Sequence, residues 1–215
     1  PHMSKPKPKV GFYWCASCGG CEESVVDLAE AILDVVAQVD FVLFPVAMDF
    51  KREDVEAMAD GEMAVCFVNG AVRSSEQLEM AELCRAKSQV LIAYGSCSHQ
   101  GGIPGLSNLY DHESTLRYVY EQSPSTVNPD KVRPQPVTEV PEGNTTVTLP
   151  TLDERVKALD QVVDVDYYLP GCPPEPPQIW AVLQVIVGAL LEGKPLPPKG
   201  ALVGHTGVAL CEECP

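Results

Sequence analysis

The sequence predicts an α/β fold built on a doubly wound parallel sheet. Three observations carry this. Short β-rich runs alternate with runs of helical period, the strand candidates are nearly all apolar as buried parallel strands are, and three of them end abruptly in glycine- and cysteine-bearing loops.

Taken in order, Lys9 to Trp14 (KVGFYW) is the first strand and closes on a Cys/Gly loop. Glu23 to Val39 follows as a helix, with Val25, Val26, Leu28, Ala29, Ile32, Leu33 and Val36 at helical spacing. Phe41 to Ala47 is a second strand whose Pro45 marks a sheet edge or the strand's end. Met63 to Val68 is a third, stopped by Asn69-Gly70. Ser75 to Arg85 is a helix capped by Ser74 or Ser75, and Gln89 to Tyr94 a fourth strand running into Gly95-Ser96-Cys97. Asp153 to Val163 reads as a helix, and Val165 to Leu169 as a fifth strand leading into Pro170-Gly171-Cys172-Pro173-Pro174. Pro176 to Glu192 is the last helix, with Pro177 in its first turn and Gly193 as its stop. The segment 123–150 breaks the rhythm with six prolines and reads as a surface insertion carrying a small hairpin, Val137 to Val140 with Thr145 to Leu149. Together these elements suit a flavodoxin-like sheet with a proline-rich surface insertion. The expected organisation is a lead-in over 1–9, a domain over 10–195 and a tail over 196–215.

Composition narrows the function. The chain has 215 residues, 45% of them hydrophobic, so a sizeable core can form. Thirty acidic residues against 15 basic ones give a formal net charge of −15. With no Lys/Arg run to neutralise phosphates, a nucleic-acid partner is excluded, and an anionic membrane surface with it. The apolar run from Ile179 to Leu191 is too short to span a bilayer. Pro1-His2-Met3 reads as a cloning scar and no secretory signal is visible, so a cytoplasmic protein is expected. Nine cysteines in a reducing compartment point to metal or redox chemistry before structural disulfides.

The cysteines are placed to act together. Cys15-Ala-Ser-Cys18-Gly-Gly-Cys21, Gly95-Ser96-Cys97 and Gly171-Cys172-Pro173 each follow a strand, and in an open parallel sheet all such loops lie along one edge, where ligands bind. Two thiolates from a Cys-x-x-Cys pair and one from each other loop make four, the complement of a 4Fe–4S cluster. Gly19, Gly20, Gly95 and Gly171 would let backbone approach the inorganic sulfides and expose N–H groups to them. A helix starting near Glu22 would aim its N-terminus at the anionic group. A docking module stapled by a Cys₄ zinc site needs the same four thiolates, although zinc sites usually pair two Cys-x-x-Cys knuckles. A thioredoxin-like dithiol at Cys18/Cys21 would sit at a strand–helix junction but leaves Cys97 and Cys172 without a role.

Three motifs then carry a resemblance. Cys18-Gly-Gly-Cys21-Glu22-Glu23-Ser24, Gly95-Ser96-Cys97-Ser98-His99-Gln100-Gly101-Gly102-Ile103-Pro104-Gly105 and Pro170-Gly171-Cys172-Pro173-Pro174 resemble the proximal-cluster motifs of nickel–iron hydrogenase small subunits, most of all the cytoplasmic F420-non-reducing (methyl-viologen-reducing) type. The resemblance runs from about Val10 to the end of the chain. It implies one 4Fe–4S cluster on Cys18, Cys21, Cys97 and Cys172, in a subunit that carries electrons from H₂ oxidation. The nickel–iron site would belong to a large-subunit partner, and a downstream electron-transfer subunit of heterodisulfide-reductase type would take the electrons on. The related respiratory complex I subunit uses two adjacent cysteines in its first loop, which this chain lacks.

Other residues have plainer readings. Alignment to the family motif selects Cys18 and Cys21 over a Cys15/Cys18 pair, leaving Cys15, Cys66 and Cys84 as structural thiols. His99 reads as a solvated or interface histidine beside a ligand, and Glu22 and Glu23 as a charge pair in the first helical turn. Cys211-Glu-Glu-Cys214-Pro215 resembles the opening of the family's second cluster-binding segment, incomplete here, and reads as a truncation.

Overall fold

The computed structural model describes residues 6–140, 145–205, 207–208 and 210–212; the expected scar at residues 1–3 and Cys214 lie outside them. In chain order the regular elements are β1 (Lys9–Trp14), α1 (Gly20–Val26), α2 (Ile32–Gln38), β2 (Asp40–Leu43), α3 (Arg52–Glu56), β3 (Met63–Asn69), β4 (Val72–Ser74), α4 (Ser75–Lys87), β5 (Ser88–Tyr94), α5 (Gly95–Gln100), α6 (Gly102–Gly105), α7 (His112–Arg117), β6 (Val137–Val140), β7 (Thr145–Thr148), β8 (Leu152–Lys157), β9 (Tyr167–Leu169) and α8 (Pro176–Glu192).

Five strands form one parallel sheet in the order β2-β1-β3-β5-β9. Counted among themselves they run 2-1-3-4-5, the flavodoxin-like doubly wound order. Period-two alternation divides the core between two faces. Val10 and Phe12 of β1, Val65 and Phe67 of β3, and Val90, Ile92 and Tyr94 of β5 pack with Val25 of α1, Val35 of α2 and Ile179, Leu183 and Ile186 of α8. On the other face Cys66, Val68, Leu91 and Ala93 meet Val55 of α3, Ala81 and Cys84 of α4 and Leu159. Phe12 and Phe67 stack at 4.7 Å between ring centroids and both are fully buried. Truncating either to Ala would cost about 3–5 kcal/mol.

Most elements form where the pattern places them. Ser74 caps α4 by accepting the Gln77 N–H at 3.4 Å, α8 spans Pro176–Glu192, and Gly193 ends it at φ 68°. Pro45 falls just beyond β2, which is also an edge strand. The insertion carries the β6–β7 antiparallel ribbon.

Two helices differ from the sequence reading. The single helix expected over Glu23–Val39 is broken: α1 ends at Val26, a 3₁₀ turn spans Ala29–Ala31, and α2 follows. Ala29 sits at φ 51°, a left-handed conformation that no α-helix can absorb. The helix expected over Asp153–Val163 is instead strand β8, antiparallel to β4, followed by a 3₁₀ turn at Leu159–Gln161. Both backbone groups of Val156 are taken by the Asn108 side chain, its Nδ2 donating to the carbonyl and its Oδ1 accepting the N–H, each at 2.8 Å. Backbone partners from elsewhere in the chain thus displace the local helical bonds.

The tail begins as part of this sheet. Tyr168 N–H donates to the Ala201 carbonyl at 3.1 Å, and Val203 N–H to the Tyr168 carbonyl at 2.8 Å, laying residues 200–203 beside β9. No helix among the described residues is long and apolar enough to cross a membrane.

Candidate metal centre

Strands β1, β5 and β9 run parallel, so the loops that follow them share one edge. Hydrogen bonds then tie these loops to each other. The Ser24 hydroxyl of α1 donates to the Pro174 carbonyl at 2.6 Å, joining first loop to third. Ser96 donates to the Gly171 carbonyl through its N–H at 2.7 Å and through Oγ at 2.9 Å, joining second to third. The Tyr94 hydroxyl, at the end of β5, donates to the Cys21 carbonyl at 2.6 Å, joining second to first. The three ties close a ring.

The ring gathers Cys18, Cys21, Cys97 and Cys172. Cys21 and Cys97 are buried, whereas Cys18 and Cys172 are exposed. Their proximity registers in their acidity. Burial, then the neighbouring Cys97, Cys18 and Cys172 thiols and the Glu22 carboxyl, push the Cys21 thiol up to about 12. Burial also raises Cys97, opposed by a hydrogen bond from the Ile103 backbone and reinforced by Cys172 and Cys18. The glycines are spacers. A Cβ on Gly95 (φ 81°) would overlap the Cys21 sulfur, and one on Gly102 would stand 2.9 Å from the Cys97 sulfur.

Among the described residues, no three His, Cys, Asp or Glu side chains converge tightly enough to hold a single metal ion. A cluster makes a different demand, since each thiolate binds its own iron and the four stand apart around it. Four soft donors on one edge, with bare glycine backbone against the two sheltered ones, fit such a group. The Cys18, Cys21, Cys97 and Cys172 thiols can hold it.

Beneath the first loop lies a polar knot that the sequence does not announce. Glu22 is fully buried, not a solvated helix charge; Glu23 alone faces solvent. The Glu22 carboxylate accepts the Val46 N–H at 3.1 Å and the Asn69 amide at 3.2 Å. Asn69 Nδ2 also donates to the Tyr13 carbonyl, and Asn69 O accepts the Cys15 N–H. The ends of β1 and β3 and the turn that follows β2 are thereby pinned together beside Cys21. Burial raises the Glu22 carboxyl above the usual range, against the lowering effect of these two donors. Nothing in Cys-Glu-Glu-Ser distinguishes the buried glutamate from the exposed one.

The remaining cysteines lie elsewhere. Cys15, Cys66 and Cys84 pack together in the core of the opposite sheet face. Burial, then the Cys84 thiol and Glu76, raise Cys15 far above the ordinary range. The Cys84 thiol is raised by its hydrogen bond with Cys66 and then by burial. His99 packs its ring against Tyr168, 4.8 Å between centroids. Cys211 is exposed in a 3₁₀ turn, Leu210–Glu212, and its expected companion Cys214 lies outside the described residues.

Comparison with known proteins follows this geometry. The family model of the NADH ubiquinone oxidoreductase 20 Kd subunit matches residues 18–186. The iron-sulfur subunit of the F420-non-reducing hydrogenase of Archaeoglobus profundus is 37% identical over 207 residues, 96% of this chain and 62% of the relative. The chain thus spans about three-fifths of that relative's length. The delta subunit of the NAD-reducing hydrogenase HoxS of Cupriavidus necator is 29% identical, over 84% of this chain and 79% of its own. A chain of the H₂-reduced crystal structure of an NAD⁺-reducing [NiFe]-hydrogenase superposes with a TM-score of 0.72 at 30% identity, covering 89% of this chain and 96% of that one.

Proposed function

The chain belongs to the family of the NADH ubiquinone oxidoreductase 20 Kd subunit, and from that premise we propose that it is the electron-transfer small subunit of a nickel–iron hydrogenase. Its one proximal centre would be a 4Fe–4S cluster on Cys18, Cys21, Cys97 and Cys172. When bound, that cluster supplies one-electron transfer. H₂ oxidation itself is assigned to a large-subunit partner, and onward transfer to a further subunit of heterodisulfide-reductase type.

The observation that carries the reading is the ring of loop-to-loop hydrogen bonds that brings four distant thiols together. Each residue of the ring has a definable task. Ser24, Ser96 and Tyr94 hold the loops in register, Gly95 and Gly102 keep side chains off the sulfurs, and the Ile103 N–H offers a hydrogen bond to the Cys97 sulfur. Hydrogen bonds of that last kind favour the reduced, more anionic state of such a group. Exposure of Cys18 and Cys172 opens the centre on one side. Beside it, Trp14 next to Gly19 and Ile103 next to Cys97 expose apolar side chains, a surface suited to a partner protein.

Anaerobic purification followed by metal and sulfide analysis tests the proposal. Iron and acid-labile sulfide in equal amounts, with broad visible absorption that bleaches on reduction, are expected. A colourless protein holding stoichiometric zinc would sink it. Co-purification with the large subunit and a nickel measurement on the complex then test the assignment of partner.

A further inference from the structure

Tyr94 is fully buried, and nothing about its ring requires a hydroxyl. The ring lies edge-on to Phe12 and Phe67, at 6.1 and 5.8 Å between centroids, among apolar neighbours that a phenylalanine would satisfy equally. The hydroxyl nevertheless reaches 73 residues back along the chain to donate to the Cys21 carbonyl at 2.6 Å. Cys21 is the buried one of the two first-loop thiols proposed as ligands, and Tyr94 immediately precedes Gly95, whose bare backbone faces the Cys21 sulfur. One side chain therefore fixes the backbone of one proposed ligand while its own backbone begins the loop that carries another, Cys97.

The geometry points to Tyr94 as a positioning residue that sets the reduction potential of the centre by holding Cys21 in place. The inference rests on the cluster reading above. Electronic tuning of an iron–sulfur group depends on the hydrogen bonds and polar groups around its ligands. A phenol wedged in an aromatic core holds its partner more rigidly than a surface side chain can.

The test is Tyr94→Phe, which keeps the ring and deletes only the donor. Tyr167→Phe is its matched control. Tyr167 is also buried, and its hydroxyl likewise donates to a carbonyl, that of Pro197 at 2.8 Å, outside the ring of loop ties. Both variants lose one hydroxyl–carbonyl bond, buried at Tyr94 and part-buried at Tyr167, so a general loss of stability moves both. The expected result is a displaced midpoint potential and an altered electron paramagnetic resonance line shape of the reduced protein in Tyr94→Phe, with Tyr167→Phe matching wild type. Selective loss of iron from folded Tyr94→Phe supports the same role. Identical potentials and spectra in all three proteins, or equal iron loss in both variants, overturn it. A wild-type protein that takes up zinc in place of iron and sulfide overturns the parent reading, a distinguishable outcome that removes this inference too.

Discussion

Gly95 and Cys21 share a space that holds one sulfur atom and no methyl group: a Cβ on Gly95 would overlap the Cys21 Sγ. Gly95 also has φ 81°, where an L side chain is strained. Gly95→Ala is therefore expected to push the Cys21 sulfur out of position and abolish iron incorporation. Gly193→Ala is the contrast. That residue also has positive φ, at 68°, yet an added Cβ meets nothing within 4 Å. It should cost only the backbone term of about 1–2 kcal/mol and keep full iron content. Iron assay with thermal unfolding separates the two.

Cys15 and Cys18 lie three positions apart, one buried in the core and the other exposed in the loop. Cys18→Ser removes a proposed ligand and should cut iron and sulfide content sharply, with little change in apoprotein stability because the residue is exposed. Cys15→Ser should do the reverse. Its hydroxyl would be buried among Val68, Val72 and Cys84 at a cost of about 1–3 kcal/mol, with iron content at the wild-type level. Equal iron loss in both variants would contradict the ligand register.

The Ser24–Pro174 hydrogen bond ties the first loop to the third in a buried setting. Ser24→Ala leaves the Pro174 carbonyl unpartnered by that hydroxyl, at a cost of about 1–3 kcal/mol. The variant should unfold at lower denaturant and release iron faster to a chelator. Unchanged release kinetics would show that the third loop is held by Ser96 and Gly171 alone.

Asn108 clamps both backbone groups of Val156. Asn108→Ala should destabilise the protein by about 1–2 kcal/mol and raise amide exchange at Val156 by the corresponding factor, leaving amides of β1, β3 and β5 protected. Exchange measured by mass spectrometry or NMR decides it.

These residues also show where reading the sequence succeeds and where it stops. Val65-Cys66-Phe67-Val68 and Val90 to Tyr94 are apolar on both faces, and only a doubly covered parallel strand needs that. The glycine–cysteine loops are legible because chemistry restricts what can stand beside a sulfur. Asp153 to Lys157 reads as part of a helix because its strand character comes from β4 and Asn108, not from its own residues. Ala29 gives no hint of a left-handed turn, since alanine ordinarily favours a helix. The roles of Glu22 and Tyr94 stay hidden for a related reason. Burial of a carboxylate, and the aim of a hydroxyl across the sheet edge, are properties of the assembled fold.

Ser24 and Pro174 lie 150 residues apart, and Cys172 is the last of the four thiols to be made. A ribosome that has delivered the chain through α5 has delivered three of the thiols and an open gap. The ring cannot close until the Pro174 carbonyl has emerged and reached Ser24. On the proposed reading, delivery of iron and sulfide would come after synthesis of this region, as a maturation step on a chain already made past Pro174.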